Sequence, residues 1–282
     1  MTQTGAVIVT GGTFGLGREI TLCLAEKGWP VVAFGLETPQ VSSTAANAIP
    51  GLRREADERG LDITLLEADV SVGADVARVV ATAVEKHGRI FGLVNNAAIG
   101  PLGTILDTDP DLWDRIMAVN LRGPYLTARA VIPHMAANGG GAIVNVGSGS
   151  GWGKPNMAAY SASKGGLFAL TTALALDHFH DRIRVNAVVP GGGGIVAGMS
   201  LGRVGGDRDR LGPDAVGTVA GRVANGYDLG HAIGYLLSVE AEAVSGTVID
   251  VGCFSHQGSS TPLKKAPLKK MLVQKTVNKE TK

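Results

Sequence analysis

Cysteine is nearly absent from this chain: Cys23 and Cys253 are the only two among 282 residues. Two thiols so far apart form no disulfide framework, which excludes the small stapled scaffolds of secreted proteins and leads to the expectation of a reducing, cytoplasmic setting. Charged residues are also scarce, at 18%, and the formal net charge is only +1. Even that small excess is misplaced for nucleic acid. Residues 261–282 hold seven Lys and one Glu, a local charge of +6, so the rest of the chain carries 1 − 6 = −5. A mildly acidic body gives no electrostatic footprint for a polyanion. No apolar run is long enough to span a bilayer, and no signal-peptide pattern precedes the first strand, so no membrane partner is expected. The six histidines form no His-Glu-x-x-His pattern, and His178 and His180 do not share a helix face, so no metal site is expected. The basic tail over 261–282 has no aromatic residue and reads as a disordered, solvated extension, although its charge would also suit acidic surfaces.

What the chain has in quantity is glycine, 41 residues, and apolar side chains, 45% with a mean hydropathy of +0.18. Strand patterns rich in Val and Ile fall at 6–10, 31–34, 63–66, 92–95, 142–146, 184–188 and 247–251. Helical patterns lie between them at 15–27, 52–59, 74–87, 112–136, through Tyr160 to about 178, and at 229–237. Continuously apolar strands alternating with helices predict an α/β fold with a parallel sheet covered on both faces, doubly wound, with seven strands. One domain over 1–260 accounts for all of them. The stretch from 191 to 225 breaks the alternation with Gly191-Gly192-Gly193-Gly194 and Asp207-Arg208-Asp209-Arg210. At the carboxyl edge of the sheet such a loop is expected to cover a substrate.

Two motifs carry chemistry. The first strand runs into Thr10-Gly11-Gly12-Thr13-Phe14-Gly15-Leu16-Gly17 and then a helix. Glycines there let backbone approach a pyrophosphate resting on the helix N-terminus, so Gly11, Thr13, Phe14, Gly15, Leu16 and Gly17 are candidate dinucleotide contacts. An acidic residue about 20 positions on commonly holds the adenosine ribose of NAD. Glu37 lies 37 − 17 = 20 residues beyond Gly17. It reads equally as that ribose ligand or as an exposed loop glutamate. No Arg or Lys occurs between Lys27 and Arg53, which favours NAD over NADP. The second motif is Tyr160-Ser161-Ala162-Ser163-Lys164, with Ser148 twelve residues upstream. Positions i and i+4 share a helix face, and an ammonium beside a phenol lowers its pKa, so the tyrosine could move a proton to or from an alcohol.

With both motifs in view, the chain resembles the short-chain dehydrogenase/reductase family, in its single-domain, Rossmann-type branch, from about Thr4 to Gly252. Thr10–Gly17 matches the cofactor turn, Asp69-Val70 the Asp that meets adenine, and Asn95-Asn96-Ala97-Ala98 the Asn-Asn-Ala-Gly motif. Asn120, Ser148, Tyr160 and Lys164 match the catalytic tetrad, and Arg184-Val185-Asn186-Ala187 with Pro190-Gly191 match the segment before the substrate loop. The resemblance implies an NAD(P)-dependent oxidoreductase that interconverts a secondary alcohol and a ketone. Tyr160 is then the general acid/base, Lys164 its electrostatic partner and ribose ligand, Ser148 the group on the substrate oxygen, and Asn120 the holder of a water that links Lys164 to solvent. Asp69, Val70, Asn96, Ala97, Ala98, Pro190 and Gly191 join the cofactor contacts on the same ground. Family members assemble as dimers or tetramers, through the helices around 112–136 and 160–178 and the last helix and strand.

The chain departs from the family pattern in three places. No Thr follows Pro190-Gly191 in Gly192-Gly193-Gly194-Ile195-Val196-Ala197, Gly35 stands where strand two often ends in Asp, and Gly226 replaces a Pro. Ser150 rivals Ser148, which is preferred because it follows the strand directly and has Gly151 three residues later. Ser161 and Ser163 read as helix-surface or packing residues. Ile99–Leu102, Trp152, Pro155, Met157 and Met199 suggest a partly apolar mouth, hence a small or medium alcohol/ketone substrate. A catalytically silent binding or regulatory protein, or a lyase or epimerase on the same fold, are the alternatives.

Overall fold

The computed structural model describes residues 5–37, 48–191, 199, 220, 222 and 224–252. The stretch 192–198, most of the expected substrate loop, Cys253 and the basic tail lie outside them. Seven strands form one sheet: β1 (Ala6–Thr10), β2 (Val31–Gly35), β3 (Ile63–Glu67), β4 (Ile90–Asn95), β5 (Gly141–Val146), β6 (Ile183–Pro190) and β7 (Val248–Val251). Their order is β3-β2-β1-β4-β5-β6-β7, and every pairing is parallel. The expected doubly wound α/β fold is therefore present.

Alternation along the strands fills two cores. On one face Val7, Val9, Val144 and Val146 pack against α1 (Gly15–Glu26), α2 (Ala48–Arg59) and α7 (Gly226–Leu237), through Ile20, Leu24, Leu52, Ile233 and Leu237. On the other face Ala6, Ile8 and Ile143 pack against α3 (Gly73–His87), α5 (Gly123–Ala137) and α6 (Ala158–Asp177), through Val76, Val79, Val131 and Met135. Strands buried on both sides are mostly apolar, which is why β1 reads as a hydrophobic run from Ala6 to Val9 and β5 as one from Ala142 to Val146 broken only by Asn145.

Two elements differ most from the sequence expectation. Helix α2 begins at Ala48, four residues before 52, with Pro50 inside its first turn. First-turn N–H groups have no intrahelical partner, so a proline there removes nothing. The helix expected over 112–136 is three pieces: α4 (Pro110–Met117), a π-helical stretch Ala118–Arg122, and α5. Pro124 opens α5 and has no N–H, so the carbonyl of Asn120 lacks its i+4 donor. The chain bridges the break with a wider turn, in which Gly123 N donates to Ala118 O.

At the far end of the sheet, Arg184 on β6 donates to the carbonyls of Leu236, Leu237 and Ser238, closing the C-terminus of α7. Among the described residues no helix is long and apolar enough to cross a membrane.

Candidate active site

The strand order reverses between β1 and β4: the chain leaves β1 for β2 and β3 on one side and builds β4 to β7 on the other. Loops leaving the two central strands must diverge, and the crevice between them is where open α/β sheets bind ligands. The glycine turn, Asn95–Ala98, Ser148 and Pro190-Gly191 all lie at carboxyl ends of the adjacent strands β1, β4, β5 and β6.

The glycine turn is held from β4. Thr10 Oγ1 accepts from the backbone N–H of Asn96 and Ala97 at 3.0 and 2.9 Å. Asn96 Nδ2 donates to the carbonyls of Thr10 and Gly11, both at 3.1 Å. The amide hydrogens of Asn96 thus shape the turn. Gly11 takes φ +60, and Gly15 takes φ +54, conformations that glycine adopts without steric penalty. Gly17 is a matter of approach: a Cβ there would sit 1.9 Å from Gly11 O and 2.4 Å from Asn96 Nδ2. A methyl at that point forces the helix off the turn. Gly17→Ala is therefore expected to abolish dinucleotide binding in calorimetric titration and to cost about 1–3 kcal/mol in urea unfolding.

Helix α1 starts at this turn with Phe14 as N-cap, which forms no side-chain cap, and no acidic residue stands in the first turn. Leu16 and Gly17 lie in that first turn. Uncapped N–H groups and a positive dipole end suit an anion, so the residues present fit the pyrophosphate of a dinucleotide.

The adenosine side is less simple. Glu37 Oε1 accepts from Ile49 N at 2.6 Å, so the carboxylate sits on the first turn of α2. Asp69 Oδ1 accepts from both the N–H and the Oγ of Ser71, at 2.8 and 2.7 Å, and Asp69 N donates to Asp75 Oδ2. Val70 is buried, and Gly123 is bare where it passes: a Cβ there would lie 3.0 Å from Val70 Cγ2. Arg122 donates to Ser71 O, so the end of β3 is tied to the turn that carries Asn120. Ala97 and Ala98 are half-buried beside the glycine turn. Gly191 donates its N–H to Val251 O at the end of β6.

On the other side of the crevice, Tyr160 and Lys164 occupy successive turns of α6 and are both buried, at 8% and 2% exposure. Lys164 Nζ donates to Val146 O at 2.7 Å and lies 5.8 Å from the centre of the Tyr160 ring. Burial pushes its ammonium down to about 8. Val146 ends β5, and Ser148 follows two residues later. Ser148 Oγ accepts from Ser150 N at 3.2 Å, which fixes the rotamer and leaves the hydroxyl hydrogen without an acceptor among the described residues. Ser150 turns inward, with its Oγ 3.5 Å from Met157 Sδ. The turn lies flat on Phe168, because a Cβ at Gly147 or Gly151 would come within 2.5 and 2.4 Å of that ring. Trp152 stacks on the outer side of Phe168 at 4.5 Å.

Asn120 is fully buried in the π-helical stretch. Its Nδ2 donates to Ile99 O and Ser163 Oγ, at 2.8 and 3.0 Å, and its Oδ1 accepts from Ile99 N at 2.8 Å. Both side-chain donors are therefore committed to protein, and the group left without an i+4 partner is the backbone carbonyl. Ser163, read from sequence as surface or packing, is also fully buried and donates to Tyr160 O at 2.8 Å. It joins Asn120 to the helix carrying the tyrosine. The sequence offered one cue: on a helix Ser163 shares a side with Tyr160 and not with solvent.

A second buried relay was not anticipated. Thr127 donates to Asn95, Asn95 to Asn145, and Asn145 to Thr171, at 2.7 to 2.9 Å. It runs along one face of the sheet over β4 and β5, from α5, which follows the stretch carrying Asn120, to α6, which carries Tyr160 and Lys164. Of the expected mouth residues, Leu102 and Trp152 are about half exposed, whereas Met157 is buried at 4%, pinned by the Gly103–Met157 bridge.

A family model described as short chain dehydrogenase matches residues 5–199. The chain is 34% identical over 255 residues to 2-(S)-hydroxypropyl-CoM dehydrogenase 3 of Xanthobacter autotrophicus, covering 87% of this chain and 94% of that protein. It is 39% identical over 193 residues to the inactive 2-(S)-hydroxypropyl-CoM dehydrogenase 2 of the same organism, covering 65% of this chain and 81% of that one. Among solved structures, an actinorhodin polyketide ketoreductase variant with NADPH superposes with a TM-score of 0.78 at 26% identity, over 91% of this chain and 98% of that one.

Proposed function

The chain belongs to the short-chain dehydrogenase family, and from that premise we propose that it interconverts a secondary alcohol and a ketone with a nicotinamide dinucleotide, NAD in preference to NADP. The observation that carries this reading is the buried Lys164 ammonium, tied to the end of β5 beside Ser148 and one helical turn from Tyr160. Among the described residues no carboxylate pairs with it. A buried cation without such a partner is costly, and a neighbouring phenolate is the anion that would repay it. The nicotinamide, when bound, takes or returns the hydride. Everything else falls to the protein. In oxidation, Tyr160 accepts the alcohol proton while Ser148 donates its free hydrogen to the same oxygen. Lys164 holds the phenolate form of Tyr160. The proton then leaves through a water on the Asn120 carbonyl, which Pro124 has left without its i+4 donor. The Asn120 side chain is a positioning group here, bracing Ile99 and Ser163.

One relative's name specifies a secondary alcohol, 2-hydroxypropyl, which supports the substrate class. The NAD preference rests on the absence of any Arg or Lys between Lys27 and Arg53. A groove of about 740 Å³ between α4–α5 and α6, lined by Met117, Leu121, Tyr125, Leu170 and Ala173, supports assembly with a second copy of the chain. The similarity to an inactive relative favours one competing reading, a dinucleotide-binding protein without turnover. Incubating the full chain with a panel of secondary alcohols and either NAD⁺ or NADP⁺ separates the two. Reduced cofactor, read by its absorbance and formed faster with NAD⁺, is the expected result. Tight dinucleotide binding with no reduction across the panel would overturn it in favour of the silent protein. Redox-neutral turnover would instead indicate a lyase or epimerase.

A further inference from the structure

The turn between β4 and α4 is braced from inside and apolar on its outside. Thr104 donates to Asp107 Oδ2 through both its Oγ1 and its backbone N–H, at 2.6 and 2.9 Å, and Thr108 Oγ1 donates to Thr104 O at 2.9 Å. Asp109 caps α4 by accepting from Leu112 N at 2.7 Å. Gly103 N donates to Asn156 O at 2.9 Å, which ties the turn to the β5–α6 connection just ahead of Tyr160. On this frame Leu102, Ile105 and Leu106 are 52, 63 and 93% exposed. One exposed leucine needs no explanation, but several held side by side on a braced turn form an apolar patch, and such patches mark interaction surfaces.

The patch also carries charge of one sign. Asp107, Asp109, Asp111 and Asp114 are exposed, and no Lys, Arg or Glu occurs from 90 to 114. The Thr104 hydroxyl and N–H hold the Asp107 carboxyl below its ordinary range, so it is ionised at neutral pH. An occupant that fits must be apolar and basic at once. Residues 261–282 have that composition: seven Lys and one Glu, with Leu263, Leu268, Met271 and Leu272 among them. The segment is also within reach. All pairings in the sheet are parallel, so the end of β7 lies at the same edge as the end of β4, three strand spacings or about 15 Å away. The 262 − 252 = 10 residues from Gly252 to Pro262 can extend over about 33 Å. We propose that the 261–282 segment docks on the β4–α4 turn of its own chain, with its leucines on Ile105 and Leu106 and its lysines against the four aspartates. Docked there, it borders the crevice mouth beside Asn156 and Met157. The inference stands on the turn and the tail alone and does not depend on the reaction proposed above.

The test is zero-length cross-linking of the full chain with a carbodiimide, which joins lysines to carboxylates only where they touch. Products are mapped by mass spectrometry on isotope-labelled and unlabelled protein refolded together. Tail lysines are expected on the four aspartates of the turn, in pairs of a single isotopic form. Burying one leucine side chain corresponds to about a tenfold change in an association equilibrium, so Leu106→Ser is expected to lower the yield of these pairs by about that factor. About 1 M salt, which cuts the screening length to about 3 Å, should lower it as well. Leu176→Ser, equally exposed but at the far end of α6, should leave it unchanged. Thermal unfolding checks that the variants keep their fold, and Ile105→Ser carries the comparison if Leu106→Ser does not. The proposal is overturned if Leu106→Ser or Ile105→Ser cross-links like wild type, or if tail lysines join carboxylates elsewhere on the body without preference for the turn. Pairs of mixed isotopic form also overturn it, by assigning the contact to a second copy of the chain.

Discussion

Replacing Tyr160 by Phe is expected to lower kcat by about 10²- to 10⁴-fold while leaving the dinucleotide Kd nearly unchanged. The substitution deletes one oxygen from a side chain that is 8% exposed, and the ring that remains keeps its packing over the Lys164 stem. A hydride cannot leave an alcohol carbon productively unless the hydroxyl proton leaves with it, and a phenylalanine ring offers no acceptor. In the proposed mechanism Ser148 does not take over: its hydroxyl serves as the donor to the substrate oxygen, and it already accepts from Ser150 N–H. Because the contacts proposed for the pyrophosphate and adenosine lie at the glycine turn, on the other side of the crevice, most of the loss falls on kcat and not on cofactor affinity. Single-turnover kinetics and calorimetry on the same preparation check both halves. Retention of full turnover by Tyr160→Phe would remove Tyr160 from the mechanism. The silent reading predicts no change in any activity, since there is none to lose.

Much of the fold was legible because its signals are local. Val7, Val9, Ala6 and Ile8 announce a strand buried on both faces by their continuity, and Gly15 and Gly17 announce the turn by their spacing. Tyr160 and Lys164 were legible for the same reason: four residues on a helix fix a shared face. What the sequence hid is non-local. Glu37 lies at the separation expected of a ribose ligand, yet its carboxylate has a nearer claim in the Ile49 N–H, which depends on where α2 begins. A helix starting at 52 leaves Glu37 free; one starting at Ala48 engages it. The amide hydrogens of Asn96 go to the Thr10 and Gly11 carbonyls, 86 and 85 residues away in sequence, a bracing role that spacing along the chain does not show. Asn120 is intermediate. Its side-chain partners Ile99 and Ser163 are remote, while Pro124, which strips its carbonyl of the i+4 donor, is four residues on and could have been read directly.

Lys164→Met is expected to inactivate the enzyme and also to stabilise it at neutral pH. The lysine ammonium has a pKa of about 8 in the folded protein against an ordinary value of 10.5 for the open chain. Below pH 8 both states carry the proton, and the folded state bears the full cost of burying it. The difference, 10.5 − 8 = 2.5, corresponds to roughly 3 kcal/mol at about 1.4 kcal/mol for each pH unit. Between pH 8 and 10.5 the folded protein has released the proton while the unfolded chain still holds it, so the unfolded state binds more protons and stability from this group rises with pH. Met has no such dependence. It gives up the hydrogen bond to Val146 O, worth about 1 kcal/mol, which leaves a net gain on the order of 2 kcal/mol at about pH 7. The gain should vanish towards about pH 10. Urea unfolding of both proteins at about pH 7 and about pH 9.5 reads it directly; equal destabilisation at both values would mean that Lys164 is not buried as a cation. The same titration bears on catalysis. The kcat/KM of wild type reports the free enzyme, and it should fall as pH rises through about 8, because the ammonium proposed to hold a Tyr160 phenolate loses its charge there. A cost in stability at neutral pH, removed by a substitution that also silences the enzyme, is what a residue retained for chemistry should display.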